Sequence, residues 1–149
     1  MLTEEFTRGV TVARPAEAVF DHLARPDSYV GLSPLVIAVR DVHLSADEVR
    51  YVAVERFRLG PLRWDNPIRV TMTFPRPGRR IVSQVRSPGR VRLEATVDLT
   101  TDSAGTHLHE SVRVTFPRPL RALVVGQAAK AQNYRLAELA RRMSAAEKP

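Results

Sequence analysis

Apolar and polar positions alternate with a period of two over most of this chain, and shift to helical spacing once early and once over the last stretch. Residues 6–13 (FTRGVTVA) alternate as a strand. Arg14-Pro15 follows with a proline where the first helical turn accepts one, and Ala16, Val19, Phe20 and Leu23 recur at helical spacing until Pro26. Asp27 then caps a second short helical turn, which Gly31 and Pro34 break before a strand near 35–43. Further strands are predicted at 48–58, 66–75, 80–86, 91–101 and 106–116. The turn chemistry between them is Gly60-Pro61, Pro77-Gly78, Pro88-Gly89 and Asp102 to Gly105, at hairpin intervals. The stretch GPLRWDNP reads as a loop, and the sum is a seven-stranded antiparallel meander.

Residues 119–146 hold the long helix, opened by proline, filled by alanine, leucine and arginine, and weakened by Gly126. Leu120, Leu123, Val124, Ala131 and Tyr134 share one face, while Val125, Ala128, Leu136, Leu139 and Met143 drift to another. Such a shift predicts that the first half lies on the sheet and the second meets the short helices or a partner subunit, which permits a homodimer.

Strand period assigns the faces. Val91, Leu93, Ala95, Val97 and Leu99 share one, Ile68, Val70, Met72 and Phe74 another, and Leu108, Val112, Val114 and Phe116 a third. Each set points inward, and Glu110 shares the parity of the last. A carboxylate on an apolar face must be paired, hydrogen-bonded or protonated, because desolvating it alone costs several kcal/mol. Arg8, in the inward parity of Val10 and Val12, is one expected partner, and a ligand or water is the other. Glu55 poses the same question beside Tyr51 and Phe57. A structural pair is the reading to beat for Glu110, ahead of a ligand-orienting contact and of a general acid or base.

Composition narrows the chemistry. With 44% apolar, 26% charged and 6% aromatic residues, 149 residues make one ordinary domain, 1–149, and without cysteine neither a thiolate metal site nor a cysteine nucleophile exists. His107 and His109 share a strand face but lack a third ligand nearby, and phosphate loops and nucleophile elbows are absent, so neither metal nor cofactor is expected. The net charge is +7, yet 21 of the 23 basic residues are arginine, scattered from Arg8 to Arg142. A nucleic-acid face needs a stripe or patch, so this charge reads as a solvated surface. No apolar run approaches the roughly 20 residues of a membrane span, and the acidic start MLTEEFTRGV is unlike a signal peptide, so a cytoplasmic chain is expected.

Val10 to Leu23 (VTVARPAEAVFDHL), Arg25 to Tyr29 (RPDSY) and Pro34, followed by six more strands and a long helix, closely resemble the START-like (SRPBCC) superfamily, which includes the polyketide cyclase/dehydrase proteins. That resemblance implies an α+β helix-grip fold, a curved seven-stranded sheet around a C-terminal helix, with an apolar cavity between them. Roles in the superfamily range from aromatase/cyclases and lipid transfer to coenzyme Q chaperones and plant hormone receptors, among which fold alone does not choose.

Inward parity then names the lining as Tyr51, Glu55 and Phe57, with Val70, Met72 and Phe74, then Leu93, Ala95 and Val97, and last Leu108, Glu110 and Val112. Leu123, Gln127 and Tyr134 come from the helix, and Trp64 from the loop as a gate or a core anchor. The leading expectation is a binder of a hydrophobic small molecule such as a lipid, quinone, polyketide or other aromatic. A polyketide aromatase/cyclase is the alternative, with Glu110 and Tyr134 as its catalytic candidates. A basic-surface interaction module is the third reading.

Overall fold

The computed structural model describes residues 1–145. Seven strands pair antiparallel in the order β1-β7-β6-β5-β4-β3-β2. They are β1 (Leu2–Val12), β2 (Val36–Leu44), β3 (Glu48–Leu59), β4 (Leu62–Arg76), β5 (Arg80–Ser87), β6 (Val91–Asp102) and β7 (Gly105–Phe116). Helix α1 (Ala16–Leu23) and a 3-10 turn at Pro26–Tyr29 separate β1 from β2, and helix α2 (Arg121–Ala145) ends the described chain. The curved antiparallel sheet holding a long terminal helix is the helix-grip architecture.

Every strand after β1 lies within a few residues of its predicted position, but the predicted loop between β3 and β4 does not form. Leu59 pairs with Leu62 across a two-residue turn at Gly60-Pro61, and Trp64 is a strand residue opposite Phe57. Pro67, near the start of the strand predicted at 66–75, falls inside β4. The strand tolerates Pro67 because β4–β5 pairing begins only at Arg69↔Arg86, so this part of β4 pairs with β3 alone. Gly105 answers a steric demand instead. At φ 128° its missing Cβ leaves room for the Val12 carbonyl oxygen, which would stand 2.2 Å from that atom.

Burial follows the two-residue period. Thr106, Leu108, Glu110, Val112, Val114 and Phe116 of β7 are all buried, with the intervening residues more exposed. The packed core gathers Val19 and Leu23 of α1, Leu32, Val49, Met72, Ile81, Leu99 and Leu108 of the sheet side, and Leu136, Leu139 and Met143 of α2. Burying the last three contributes about 1.5–3 kcal/mol each. The second half of α2 also meets the short helices, through Arg142 to the carbonyl oxygens of Ser28 (2.6 Å) and Val30 (3.1 Å). Its first half departs from expectation. It runs beside β1, where Arg121 bonds Glu4 at 3.2 Å, and leaves Leu123 62% exposed. No described helix is long and apolar enough to cross a membrane.

Candidate functional site

Because α2 covers the β1–β7 side, the concave face is packed at one end and open at the other. Val97, Ile81, Met72 and Leu108 are buried, whereas Val85, Val91, Leu93 and Ala95 on the same face are only half-buried. Inward pairs on β3 and β4 form a ladder into this cleft. Phe57 stacks on Trp64 at its mouth (centroids 5.5 Å apart, planes at 15°), then come Glu55 with Asn66, Ala53 with Ile68, and Tyr51 with Val70.

The floor is polar. Glu110 is 3% exposed and forms an ion pair with Arg135, while Gln132 donates from Nε2 to the Glu110 carboxylate (3.3 Å) and to its carbonyl oxygen (3.4 Å). Gln132 and Arg135 are three residues apart on α2, so both reach the same side. Burial opposes the charge of Arg135, but the Glu110 carboxylate, ion-paired and hydrogen-bonded to it, raises its pKa above the usual range. Tyr29 and Tyr51 stack with centroids 6.3 Å apart. Burial pushes both phenols well above the usual range. The Tyr29 hydroxyl donates to the Leu23 carbonyl oxygen at 2.7 Å, whereas that of Tyr51, 6% exposed, has no hydrogen-bond partner among the described residues.

A second polar group lies near the mouth. Asn66 Nδ2 donates to Glu55 Oε1 (3.4 Å) and to Ser87 Oγ (3.3 Å). Burial raises the Glu55 pKa above that of an ordinary carboxyl, with the Asn66 hydrogen bond pulling the other way.

The expected pairing of Arg8 with Glu110 is corrected by the structure. Arg8 stands opposite Glu110 in the β1–β7 register, but it is exposed and the carboxylate turns to α2 instead. Tyr51, Val70, Met72, Leu108, Val97 and Val112 are buried on the concave face, and Phe57, Phe74, Leu93 and Ala95 half-buried there. Leu123, Gln127 and Tyr134 are exposed, because the stripe of α2 that turns inward is Gln132, Leu136, Leu139 and Met143. Sequence reading passed over Tyr29, Asn66, Gln132 and Arg135. Gln132 had a signal, since it lies four, seven and eleven residues before that apolar stripe.

Solved structures of this shape carry several functions. The di-domain ARO/CYC BexL from the BE-7585A biosynthetic pathway superposes with TM-score 0.77 at 17% identity, over 99% of this chain and 52% of that one, so this chain spans about half of BexL. The Zhui aromatase/cyclase of Streptomyces sp. R1128 gives 0.73 at 19% identity over 99% of this chain and 100% of that one. A START superfamily protein of Mycobacterium smegmatis gives 0.71 at 13%, over 94% and 97%. At these identities the likeness is one of fold. No curated protein matches the sequence. The family model for polyketide cyclase/dehydrase and lipid transport proteins matches residues 3–144, and the chain belongs to that family.

Proposed function

We propose that this protein binds a hydrophobic small molecule with a polar end, lying in the cleft between the concave face and α2. The supporting observation is a set of buried polar groups in an otherwise apolar interior: the Glu110–Arg135 ion pair with Gln132, and Tyr51, whose hydroxyl has no hydrogen-bond partner among the described residues. Arg135 carries five N–H donors, of which the Glu110 carboxylate takes one, so a ligand carbonyl or phenolic oxygen finds a donor there. Glu110 keeps that donor charged and oriented, and Leu93, Ala95, Val85 and Phe57 supply the apolar wall. Trp64, the single tryptophan, stands at the mouth and reports occupancy through its fluorescence. Titration with 2-naphthol and with naphthalene tests the reading. Tighter quenching by the naphthol, with the difference lost in Tyr51→Phe, is expected; equal binding of the two, or none, refutes it.

Glu55 favours a second reading, a polyketide cyclase. A half-buried carboxyl with a raised pKa is the kind of group that donates a proton during aldol closure and dehydration. Tyr134, 47% exposed on α2, lies away from that chemistry. Loss of turnover on a poly-β-ketone substrate in Glu55→Gln, with ligand binding retained, supports this reading, and full turnover removes it.

A further inference from the structure

The outer face of the sheet carries an arrangement that strand pairing alone does not favour. Arg69 on β4 stands opposite Arg86 on β5, and Arg86 stands opposite Arg92 on β6. Three exposed guanidinium groups therefore occupy adjacent strands, roughly 5 Å apart at their backbones. Arg40 extends the row across Val52, which pairs with both Arg40 and Arg69. Like charges directly opposite one another destabilise a sheet. At several other places on this face arginine is matched with a carboxylate, as in Arg56–Asp65 (2.8 Å), Arg80–Asp98 (2.5 Å) and Arg113–Glu5 (2.9 Å), while Arg58 opposite Arg63 is a second like-charged pair. Arg40 has Asp41 at 3.1 Å, and Glu94 takes a hydrogen bond from Gln84 at 3.4 Å. Arg69, Arg86 and Arg92 have no ion-pair or hydrogen-bond partner among the described residues. Two open concavities of about 430 and 780 Å³ share Asp41, Val52, Arg69 and Arg86 in their lining, and the larger adds His43 and Arg50.

The extent of the row selects its occupant. From β2 to β6 it spans roughly 19 Å, while one phosphate group is satisfied by one or two guanidinium forks. An array of anions fits better than a single small ligand. Single-stranded nucleic acid would call for aromatic side chains beside the arginines to stack its bases, and a duplex is distinguished by direct binding measurement. The aromatic residues of β3 and β4, namely Tyr51, Phe57, Trp64 and Phe74, all have inward parity. Beside the row, the edge strand β2 adds exposed His43, opposite Arg50 on the same face. We propose that this face docks onto a bilayer containing anionic lipid, with headgroup phosphates on Arg69, Arg86 and Arg92. This inference does not depend on what fills the cleft.

Co-sedimentation with phosphatidylcholine vesicles, with and without about 30% phosphatidylglycerol, tests it directly. Binding to the anionic vesicles alone is expected, weakening at least about ten-fold between roughly 0.1 and 0.5 M salt. Arg69→Gln/Arg86→Gln is expected to lower the vesicle partition about ten-fold or more, at roughly one decade per pair of surface arginines. Arg113→Gln, which removes a carboxylate-matched arginine, changes it by less than about two-fold. The double variant removes opposed like charges, so its Tm is expected to stay level or rise. Equal partition into phosphatidylcholine alone, or undiminished binding by the double variant, overturns the proposal. So does tighter binding of a short DNA duplex at the same salt.

Discussion

Glu110 on β7 and Arg135 on α2 share a buried ion pair that ties the sheet to the middle of the long helix. Removing one member strands the other as an uncompensated charge away from water, which costs about 3–5 kcal/mol. Glu110→Gln and Arg135→Met are each expected to destabilise by about that much in urea unfolding, and the double variant by clearly less than their sum. Arg8→Gln, despite its place opposite Glu110, is expected to leave the midpoint unchanged. Additive single effects would show that the two side chains do not act as a pair.

Glu55 carries the opposite sign. Its folded pKa is raised by burial, so the folded chain holds a proton there that the unfolded chain releases as pH rises past about 4.5. Stability from this group is therefore lost as pH climbs through the raised value. Glu55→Gln is expected to raise the Tm at neutral pH, with the gain vanishing at pH values well below 4.5. A variant less stable than the parent at neutral pH would contradict a carboxyl raised by burial.

His22 produces an acid-side effect. Arg142 Nη1, which only donates, lies 3.2 Å from His22 Nε2, so that nitrogen accepts and the ring is neutral. Burial, then the charges of Arg142 and Arg25, lower its pKa below 6.5. The unfolded chain binds this proton first, so stability falls as pH drops from about 6.5 toward the lowered folded value. His22→Gln is expected to flatten that decline in thermal melts between neutral and mildly acid pH. An unchanged pH profile would remove His22 as its source.

Gly105→Ala meets both a positive φ and the Val12 carbonyl oxygen, the latter a backbone atom that does not yield. It is expected to cost more than about 1 kcal/mol, whereas Gly89→Ala, strained in φ but open around its Cβ, costs less. Circular dichroism melts compare the two.

The strand faces were legible because each inner face alternates apolar with polar residues, and Glu110 stood out against that pattern on β7. Its partner was not, since Arg135 sits among polar helix residues where an arginine reads as solvated. Only the packing of α2 against the sheet brings it to Glu110. Trp64 reads as a loop residue because Gly60-Pro61 and Asn66-Pro67 together imitate a loop, and a proline in a strand is tolerated only where a neighbouring strand is absent, which sequence does not announce. The arginines looked scattered for a related reason. Arg69, Arg86 and Arg92 are distant in sequence and become a row only once hairpin register is set.

Ala95, half-buried on β6 between Ser83 of β5 and Val112 of β7, lies in the wall of the open cleft, so Ala95→Phe fills the proposed ligand volume without touching the polar floor. The most direct measurement is Trp64 quenching by 2-naphthol in the parent and in this variant, each shown folded by its melt. Saturable one-to-one quenching in the parent, weakened at least about ten-fold by the filled cleft, is the predicted result. Equal quenching in both proteins would place the naphthol outside the cleft and contradict the account.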